Sequence, residues 1–316
     1  GGYLWEKTTL FLGTEVEIAH PATGKEAHFL AFFPTYKTIR DYARRIRPAV
    51  TNPFLSTQRL RTSPDSWLKI VAAMGGVALA AHAFTPHKGV YGNCVSRLGQ
   101  MFADPEKIKG LELGLSADTK MAWGIKDTHG YPYLSNSDAH SLETIAREFT
   151  VYNLPRLNFE EWRRVLKPSG LGIKATCGLE PLLGKYYRSF CSRCQWLARE
   201  DQPVLKCPHC QRDMIIGVWD RVQAISDWEG NSSRRPPYIA HVPLMMLPGI
   251  GPKTYGKMIA NLGTEIDILY SLPLDLIERA CGEKISAQIE AIREGRLPII
   301  AGGGGKYGRV SKTLER

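Results

Sequence analysis

The stretch Leu134-Ser135-Asn136-Ser137-Asp138-Ala139-His140-Ser141 places a carboxylate and an imidazole two residues apart. Alternate side chains of an extended backbone point to the same side, so Asp138 and His140 are predicted to reach one metal ion together. Residues 131–134 predict a short strand before them, and residues 141–147 predict a helix that begins at a capping serine. Metal and phosphate chemistry is usually placed at the C-terminal ends of barrel strands. Because D-x-H is a short pattern, a structural Asp–His pair in a loop stays open as the alternative.

The chain of 316 residues is basic, with 41 Lys and Arg against 31 Asp and Glu and a net charge of +10. This excess of positive charge favours a polyanionic partner, with nucleic acid as the first candidate and a membrane surface as the second. A basic soluble enzyme without such a partner would have the same charge balance. The longest apolar run, around residues 71–83, is too short to cross a bilayer and is interrupted by Gly75, Gly76 and His82. Since the N-terminus has no charged-then-apolar signal, we expect a cytoplasmic, nucleoid-associated protein with no membrane partner.

Strand-like and helix-like patterns alternate through the first half of the chain. Strands are predicted at residues 10–18, 27–33, 77–83 and 111–115, and helices at residues 38–47, 63–75, 105–110 and 159–166. This alternation predicts a parallel α/β architecture. We assign an α/β domain to residues 1–180, a cysteine-containing module with a linker to residues 181–235, and a helical region with a basic tail to residues 236–316.

The pairs Cys191-x-x-Cys194 and Cys207-x-x-Cys210 give the strongest motif signal in the chain. Two thiolate pairs, each from a tight turn, predict a closed tetrahedral site of the zinc-ribbon type. Four sulfur ligands leave no open position for a substrate, so we expect a structural zinc ion. A redox dithiol or free thiols are the alternatives. Three isolated cysteines are interpreted as small hydrophobic residues: Cys94, Cys177 and Cys281.

A glycine-rich turn, Leu247-Pro248-Gly249-Ile250-Gly251-Pro252-Lys253-Thr254, precedes a helical pattern. It resembles the helix-hairpin-helix motif, in which glycines let backbone N–H groups and a helix N-terminus approach a DNA phosphate. Gly249, Gly251 and Lys253 are therefore predicted to bind DNA, without reading its sequence. A tight turn between two packed helices is the structural alternative.

Five residues spread along the α/β segment are suited to bind a hard metal or zinc: Glu15, His28, His82, Asp138 and His140. Each alone is more often structural. Together they lie near strand ends, as a multi-metal phosphoesterase requires. Four further residues are weaker candidates: Glu17, Glu112, His87 and His129.

Four motifs follow one another in a specific order: Leu12-Gly13-Thr14-Glu15-Val16, Ala27-His28-Phe29-Leu30, Ala81-His82-Ala83-Phe84-Thr85-Pro86 and the stretch around Asp138. This order resembles the later motifs of a PHP (polymerase and histidinol phosphatase) domain. With the four-cysteine module and Gly217-Val218-Trp219-Asp220-Arg221 behind it, the chain is similar to the endonuclease Q family over nearly its whole length.

The resemblance implies a DNA repair endonuclease, a hydrolase that cuts the phosphodiester 5′ of deaminated bases (uracil, hypoxanthine or xanthine) or of abasic sites. It implies a distorted (β/α)7 barrel in which Glu15, His28, His82, Asp138 and His140 bind catalytic Zn, Mn or Mg, with Asp138 and His140 as catalytic residues. Replication or repair proteins are expected as further partners. Such domains open with an H-x-H motif and a second Asp/His motif. Neither lies upstream of Glu15, so we expect a barrel that lacks its N-terminal strands.

Two other functions stay open. One is a PHP phosphoesterase acting on a small phosphate ester, which leaves the hairpin and the basic charge without a purpose. The other is a non-catalytic DNA-binding protein, if the first metal motifs are truly absent. An endonuclease would have to flip the damaged base from the stack, and five residues are candidates for its pocket: Tyr36, Arg59, Trp123, Tyr131 and Tyr133.

Overall fold

The fold mixes strands and helices, and the computed structural model describes residues 2–54, 58–167, 171–231 and 235–311. The strands of these ranges are β1 (Tyr3–Trp5), β2 (Thr8–Leu10), β3 (Leu12–Ala19), β4 (Glu26–Phe33), β5 (Gln58–Leu60), β6 (Val77–Ala80), β7 (Ile108–Glu112), β8 (Tyr133–Leu134), β9 (Phe149–Tyr152), β10 (Ile173–Leu179), β11 (Phe190–Cys191), β12 (Trp196–Leu197), β13 (Tyr238–His241), β14 (Ile299–Ile300) and β15 (Arg309–Val310). The helices are α1 (Tyr36–Ile46), α2 (Pro64–Ala73), α3 (Thr119–Trp123), α4 (Phe159–Val165), α5 (Val218–Ile225), α6 (Pro252–Leu262), α7 (Glu265–Tyr270), α8 (Leu274–Cys281) and α9 (Glu283–Arg293). No helix of the described ranges has both the length and the apolar composition that crossing a bilayer requires.

A six-stranded sheet in the order β5-β3-β4-β6-β7-β8 organises the first half of the chain. The strands β6, β7 and β8 are parallel, as predicted. The prediction of a parallel sheet is wrong for β4, which runs antiparallel to both β3 and β6. The reason is the short connection between β3 and β4, in which Gly24 has a φ of 69°. A tight turn of this length can only return the chain antiparallel to itself.

The period of two along β3 and β4 sorts their side chains between the two faces of the sheet. Val16 and Ile18 of β3 and Phe29 of β4 point into the main core, where they pack with α1 and α2. Glu15, Glu17 and His28 occupy the opposite face, and Glu17 lies directly across from His28 in the β3–β4 pair. The two predicted strands that carry these residues are therefore confirmed, with small shifts of their ends.

A second sheet, in the order β13-β10-β9, follows in the chain. It is joined to the end of β8 by Thr150, which accepts a hydrogen bond of 2.9 Å from the N–H of Ser135 and donates one of 3.0 Å to its carbonyl. Within the described ranges no ladder of backbone hydrogen bonds joins this sheet to the six-stranded one. The distorted (β/α)7 barrel stays a prediction.

Two predicted helices are wrong. Residues 141–147 form only the 3₁₀ turn Leu142–Thr144, and the side chain of Ser141 makes no cap hydrogen bond. Leu142 and Ile145 are exposed, so no apolar face stabilises a short helix at this place. Residues 105–110 form the 3₁₀ turn Pro105–Lys107, after which β7 pairs with β6.

The predicted capped helix at Ser63 is confirmed as α2. The Ser63 hydroxyl accepts a hydrogen bond of 3.2 Å from the N–H of Ser66, and Pro64 is the first helical residue. The apolar residues 214–225, which follow the second pair of cysteines, contain α5. Its residues Val218 and Val222 belong to the same core as the main sheet.

The helical pattern of the last segment is confirmed by α6 to α9, which share a separate core with Leu179 and Leu183. The cysteine module has a small core of its own around Cys191, Cys207 and Met214. Part of the predicted linker, residues 232–234, and the last residues of the predicted basic tail, 312–316, lie outside the described residues. The proposed domain boundaries at residues 180 and 235 stay predictions.

Candidate metal centre and nucleic-acid interface

Glu15, His28 and His82 form a cluster at one face of the main sheet, and we call it the Glu15 cluster. Nδ1 of His28 lies 3.1 Å from Oε1 of Glu15 and 3.2 Å from Nε2 of His82. One ligand atom from each of the three residues lies within 4.8 Å of the other two. A carboxylate and two imidazoles form a donor set that zinc and other divalent metals accept in proteins. The cluster could therefore hold a metal ion.

The local backbone directs the His82 ring into this cluster. His82 follows β6 with a φ of 27°, a left-handed conformation that is uncommon for a residue other than glycine. Nδ1 of its ring lies 2.9 Å from Oγ1 of Thr85. A proton on Nδ1 leaves the Nε2 lone pair free for a metal, because a neutral imidazole donates at one nitrogen and accepts at the other. Burial and the neighbouring His28 lower the pKa of His82, which favours this neutral form.

A buried carboxylate fixes the backbone at His82. Oε2 of Glu112 accepts a hydrogen bond of 3.0 Å from the His82 N–H, and Oε1 accepts one from the amide of Asn136. Burial raises the pKa of Glu112 to about 7. Glu112, a weaker candidate in the sequence, therefore connects the Glu15 cluster to the stretch 134–141 instead of joining the cluster. Asn136 was missed, because its only signal was its proximity to Asp138 in the chain.

A second carboxylate lies behind His28. Oε2 of Glu17 is 3.5 Å from Nε2 of His28, and Nζ of Lys88 is 2.8 Å from the same oxygen. Lys88 also contacts Glu26. Carboxylates that hold the outer nitrogen of a ligating histidine orient its ring. Glu17 is thus placed to orient His28, although the sequence marked it only as a weaker ligand candidate.

Asp138 and His140 do not belong to the group of described residues whose ligand atoms are all within 4.8 Å. The prediction of an extended backbone at Asp138 is wrong, because its φ is 45°. The two side chains are still near each other, with 3.5 Å between His140 Nε2 and Asp138 Oδ1, and that of His140 is 90% exposed. The charge of Asp138, with that of Glu15, opposes the lowering of the His82 pKa by burial. The charge of Asp138 is therefore felt at His82, a member of the Glu15 cluster.

The four predicted zinc ligands converge: Cys191, Cys194, Cys207 and Cys210 have sulfur atoms within 4.8 Å of one another. Sγ of Cys191 is 3.7 Å from Sγ of Cys210. The N–H of Cys194 donates a hydrogen bond of 3.4 Å to Sγ of Cys191, and this contact lowers the pKa of Cys191 to about 7. A thiol that loses its proton this readily is a good zinc ligand. The cluster could hold a metal ion.

The glycine-rich turn lies between the 3₁₀ turn Leu244–Met246 and α6, and its role in DNA binding stays a prediction. Gly249 is exposed with a φ of 95°, a conformation that suits glycine, and Gly251 lies at the start of α6 without a side-chain cap. Lys253 is exposed in the first turn of this helix. The buried amide of Gln288 donates a hydrogen bond of 3.2 Å to the Pro248 carbonyl and so holds the turn against α9. Among the described residues no side chain caps the start of α6, and the N–H groups of an uncapped helix N-terminus can bind an anion.

The five candidates for a base pocket do not line one pocket. Tyr36 is exposed at the start of α1, whereas Tyr131 and Tyr133 are buried. The Trp123 ring stacks on His129, with 3.5 Å between ring centroids, and the guanidinium of Arg235 lies 4.8 Å from the Trp123 centroid. The remaining candidate, Arg59, forms an ion pair with Glu26, and His87, a weaker metal candidate, packs against Tyr186.

Comparison with known proteins places the chain in a family. No protein-family model matches it. YqxK, an uncharacterized protein of Bacillus subtilis strain 168, is 38% identical over 313 residues, which are 98% of this chain and 80% of YqxK. The crystal structure of PfuEndoQ, a lesion-specific endonuclease from Pyrococcus furiosus, covers the whole chain with a TM-score of 0.86 and 32% identity, over 81% of its own length. Endonuclease Q in complex with a 27-mer duplex substrate with an abasic lesion at the active site matches with the same TM-score and identity, over 82% of its length. The chain therefore belongs to the endonuclease Q family.

Proposed function

We propose that the protein is a metal-dependent DNA repair endonuclease that hydrolyses the phosphodiester 5′ of a deaminated base (uracil, hypoxanthine or xanthine) or of an abasic site. The observation that carries this proposal is the similarity of the whole chain to two endonuclease Q structures, one of them with a lesion-containing duplex at its active site. The basic net charge of +10 agrees with a DNA substrate.

The Glu15 cluster supports the metal dependence, because its carboxylate and two imidazoles fit a divalent ion such as zinc or manganese. When bound, such ions would stabilise the charge on the phosphoryl oxygens and activate water for hydrolysis. Glu112 and Thr85 hold His82 in a ligating orientation, and Glu17 is placed to orient His28. These contacts would keep the ligands in place when the substrate binds.

We assign the catalytic roles to Asp138 and His140. Both are accessible to solvent, and hence to a substrate, and the charge of Asp138 acts on His82 of the Glu15 cluster. Asp138 would add negative charge at the centre, as a further ligand or as an acceptor for the proton of the attacking water. The imidazole of His140 would be available to donate a proton to the leaving oxygen as a general acid.

The rest of the chain would grip the DNA backbone. The glycine-rich turn with Gly249, Gly251 and Lys253 offers N–H groups and one positive charge to a phosphate. The four-cysteine cluster would hold a structural zinc ion, because four thiolates leave no site for a substrate. Arg221 of α5, which follows the cluster in the chain, donates hydrogen bonds of 2.9 and 3.1 Å to the carbonyls of Tyr91 and Val95, in the segment between β6 and β7.

The proposal is tested with duplexes that each carry one lesion: uracil, hypoxanthine, xanthine or an abasic site, with an undamaged duplex as the control. We expect a single cut 5′ of the lesion in the presence of zinc, manganese or magnesium, and no cut after chelation. Histidinol phosphate, tested in parallel, should not be hydrolysed. Cutting of the undamaged duplex at the same rate would contradict lesion specificity, and full activity in chelator would contradict metal dependence.

A further inference from the structure

We infer that Arg47, Arg59 and Arg61 form a second DNA-backbone surface at the edge of the main sheet, next to the Glu15 cluster. We call these three residues the arginine rim. The inference rests on the proposed function, because it assigns a path to the same DNA substrate. It concerns a different surface from the glycine-rich turn and gives Arg59 a role on the DNA backbone instead of in a base pocket.

Backbone contacts bring the three arginines to one edge. The strand β5 pairs in parallel with β3, so Arg59 lies directly beside Glu17 and on the same face of the sheet. The N–H of Arg61 donates a hydrogen bond of 2.9 Å to the carbonyl of Ala49. Arg47 caps α1 only two residues before Ala49. The end of α1 and the end of β5 thus lie beside each other at this edge of the sheet.

A continuous series of polar contacts connects this edge to the metal centre. Nη1 of Arg59 lies 2.8 Å from Oε1 of Glu26, and Lys88 bridges Glu26 and Glu17. Oε2 of Glu17 lies 3.5 Å from the outer nitrogen of His28. The arginine rim therefore lies on the flank of the Glu15 cluster, and the two surfaces can meet one ligand.

The rim is exposed, and its charge is only partly neutralised. All three side chains are exposed, and neither Arg47 nor Arg61 forms an ion pair with any residue that the structure describes. Other exposed arginines are paired within their own helix, such as Arg163 and Arg164 on α4. A cleft of about 650 Å³ adjoins the rim and is lined by Arg59, Arg61 and the polar residues His20, Thr62 and Ser63.

A DNA strand fits this surface better than an isolated phosphate does. In each strand of a DNA duplex, one phosphate follows another about every 3.4 Å along the helix axis. A strand whose reacting phosphate lies at the Glu15 cluster must therefore place neighbouring phosphates on its flanks. Guanidinium groups match phosphate oxygens with two parallel hydrogen bonds. Such contacts fix the position of the strand and are independent of base sequence.

The test compares two double variants that remove the same charge. Arg47→Gln with Arg61→Gln neutralises the two unpaired rim arginines, and Arg163→Gln with Arg164→Gln neutralises two exposed arginines on α4. The affinity for a lesion-free duplex is measured by fluorescence anisotropy at several salt concentrations. We expect the rim variant to lower the slope of log K against log salt by about 1 to 2, because each phosphate contact contributes about 0.9. The α4 variant should keep the wild-type slope.

Thermal unfolding of both variants checks that they are folded. A third variant, Arg47→Lys with Arg61→Lys, keeps the charges and should keep most of the slope. An unchanged slope in the rim variant, or an equal loss in the α4 variant, would overturn the inference. If the wild-type protein cut no lesion, the proposed function would be contradicted. The salt slopes would still test the arginine rim, because they measure DNA binding and not cutting.

Discussion

Oε2 of Glu112 accepts a hydrogen bond of 3.0 Å from the backbone N–H of His82, 30 residues earlier in the chain. The other oxygen of the same carboxylate accepts a hydrogen bond from the side chain of Asn136. In addition, the Ala83 N–H donates a hydrogen bond of 2.8 Å to the carbonyl of Glu112. One buried residue thus holds the left-handed backbone at His82 and the stretch that carries Asp138. The geometry of the metal centre depends on an acceptor at this position.

Replacing this acceptor should show which property of Glu112 matters. Glu112→Leu leaves the His82 N–H and the Asn136 amide buried without a partner, which we expect to lower the free energy of unfolding by about 2 to 4 kcal/mol. Glu112→Gln should retain most of the stability, because its oxygen can accept from His82 while Asn136 turns its amide to accept from the new NH₂ group. Chemical denaturation measures both. Equal losses in the two variants would mean that the charge, and not the acceptor, is required.

The four-cysteine cluster predicts one zinc ion that is independent of the Glu15 cluster. Cys207 is fully buried among the four sulfur ligands. Cys207→Ser should therefore lower the zinc content by one equivalent per chain and lower the melting temperature, since zinc binding contributes directly to folding in such sites. Cys281→Ser, at a partly buried cysteine outside the cluster, should keep the wild-type zinc content. Elemental analysis of dialysed protein provides the measurement, and unchanged zinc in the Cys207 variant would exclude the structural site.

Glu148 predicts a pH dependence of stability. Burial raises its pKa to about 7, although the neighbouring Arg147 acts in the opposite direction. The folded state therefore binds this proton more tightly than the unfolded state, in which the pKa of Glu148 has its ordinary value of 4.5. Stability from this group is fully present at low pH and is lost as the pH rises from about 4.5 to about 7.

Glu148→Gln should remove this loss. The difference in free energy of unfolding, variant minus wild type, should rise by about 3 kcal/mol between pH 4 and pH 8. This is the size that the raised pKa of Glu148 implies. Denaturant titrations at pH 4, 6 and 8 measure the difference, in which the contributions of all other groups cancel. A difference that is constant over this range would show that Glu148 does not titrate there.

Lys253 tests the glycine-rich turn. Lys253→Ala should weaken binding of lesion-free and lesion-containing duplexes alike and lower the salt slope by about 0.9, the value for one phosphate contact. Lys257, one turn further along α6 and equally exposed, is the matched control, because it is too far along the helix to share the phosphate at the N-terminus. If the two substitutions had equal effects, Lys253 would contribute only to the general positive charge of α6 and would make no specific contact with a phosphate at the turn.

The sequence predicted the parts of the site that follow from local patterns. The predicted strands at residues 10–18 and 27–33 are β3 and β4, which carry Glu15 and His28, and the two predicted C-x-x-C pairs come together in the four-cysteine cluster. It did not predict the contact between Glu112 and Asn136, because a buried carboxylate finds its partner only through tertiary packing. The left-handed backbone at Asp138 was missed for a related reason: Asp tolerates positive φ, and only the surrounding contacts select it.

Asp138 provides the most direct test of the catalytic assignment. Asp138→Asn removes the negative charge beside the Glu15 cluster and keeps a residue that tolerates the φ of 45°. We expect the rate of cutting of a uracil-containing duplex to fall by roughly 10² to 10⁴, the range for loss of a general acid or base, while DNA affinity stays nearly unchanged. Glu143→Gln, a substitution in the exposed turn of the same loop, should cut at the wild-type rate. Single-turnover cleavage and anisotropy on the same duplex separate the two effects. If the Asp138 variant cut normally, the carboxylate would have no part in the reaction, and the catalytic role would have to lie with His140 and the Glu15 cluster alone.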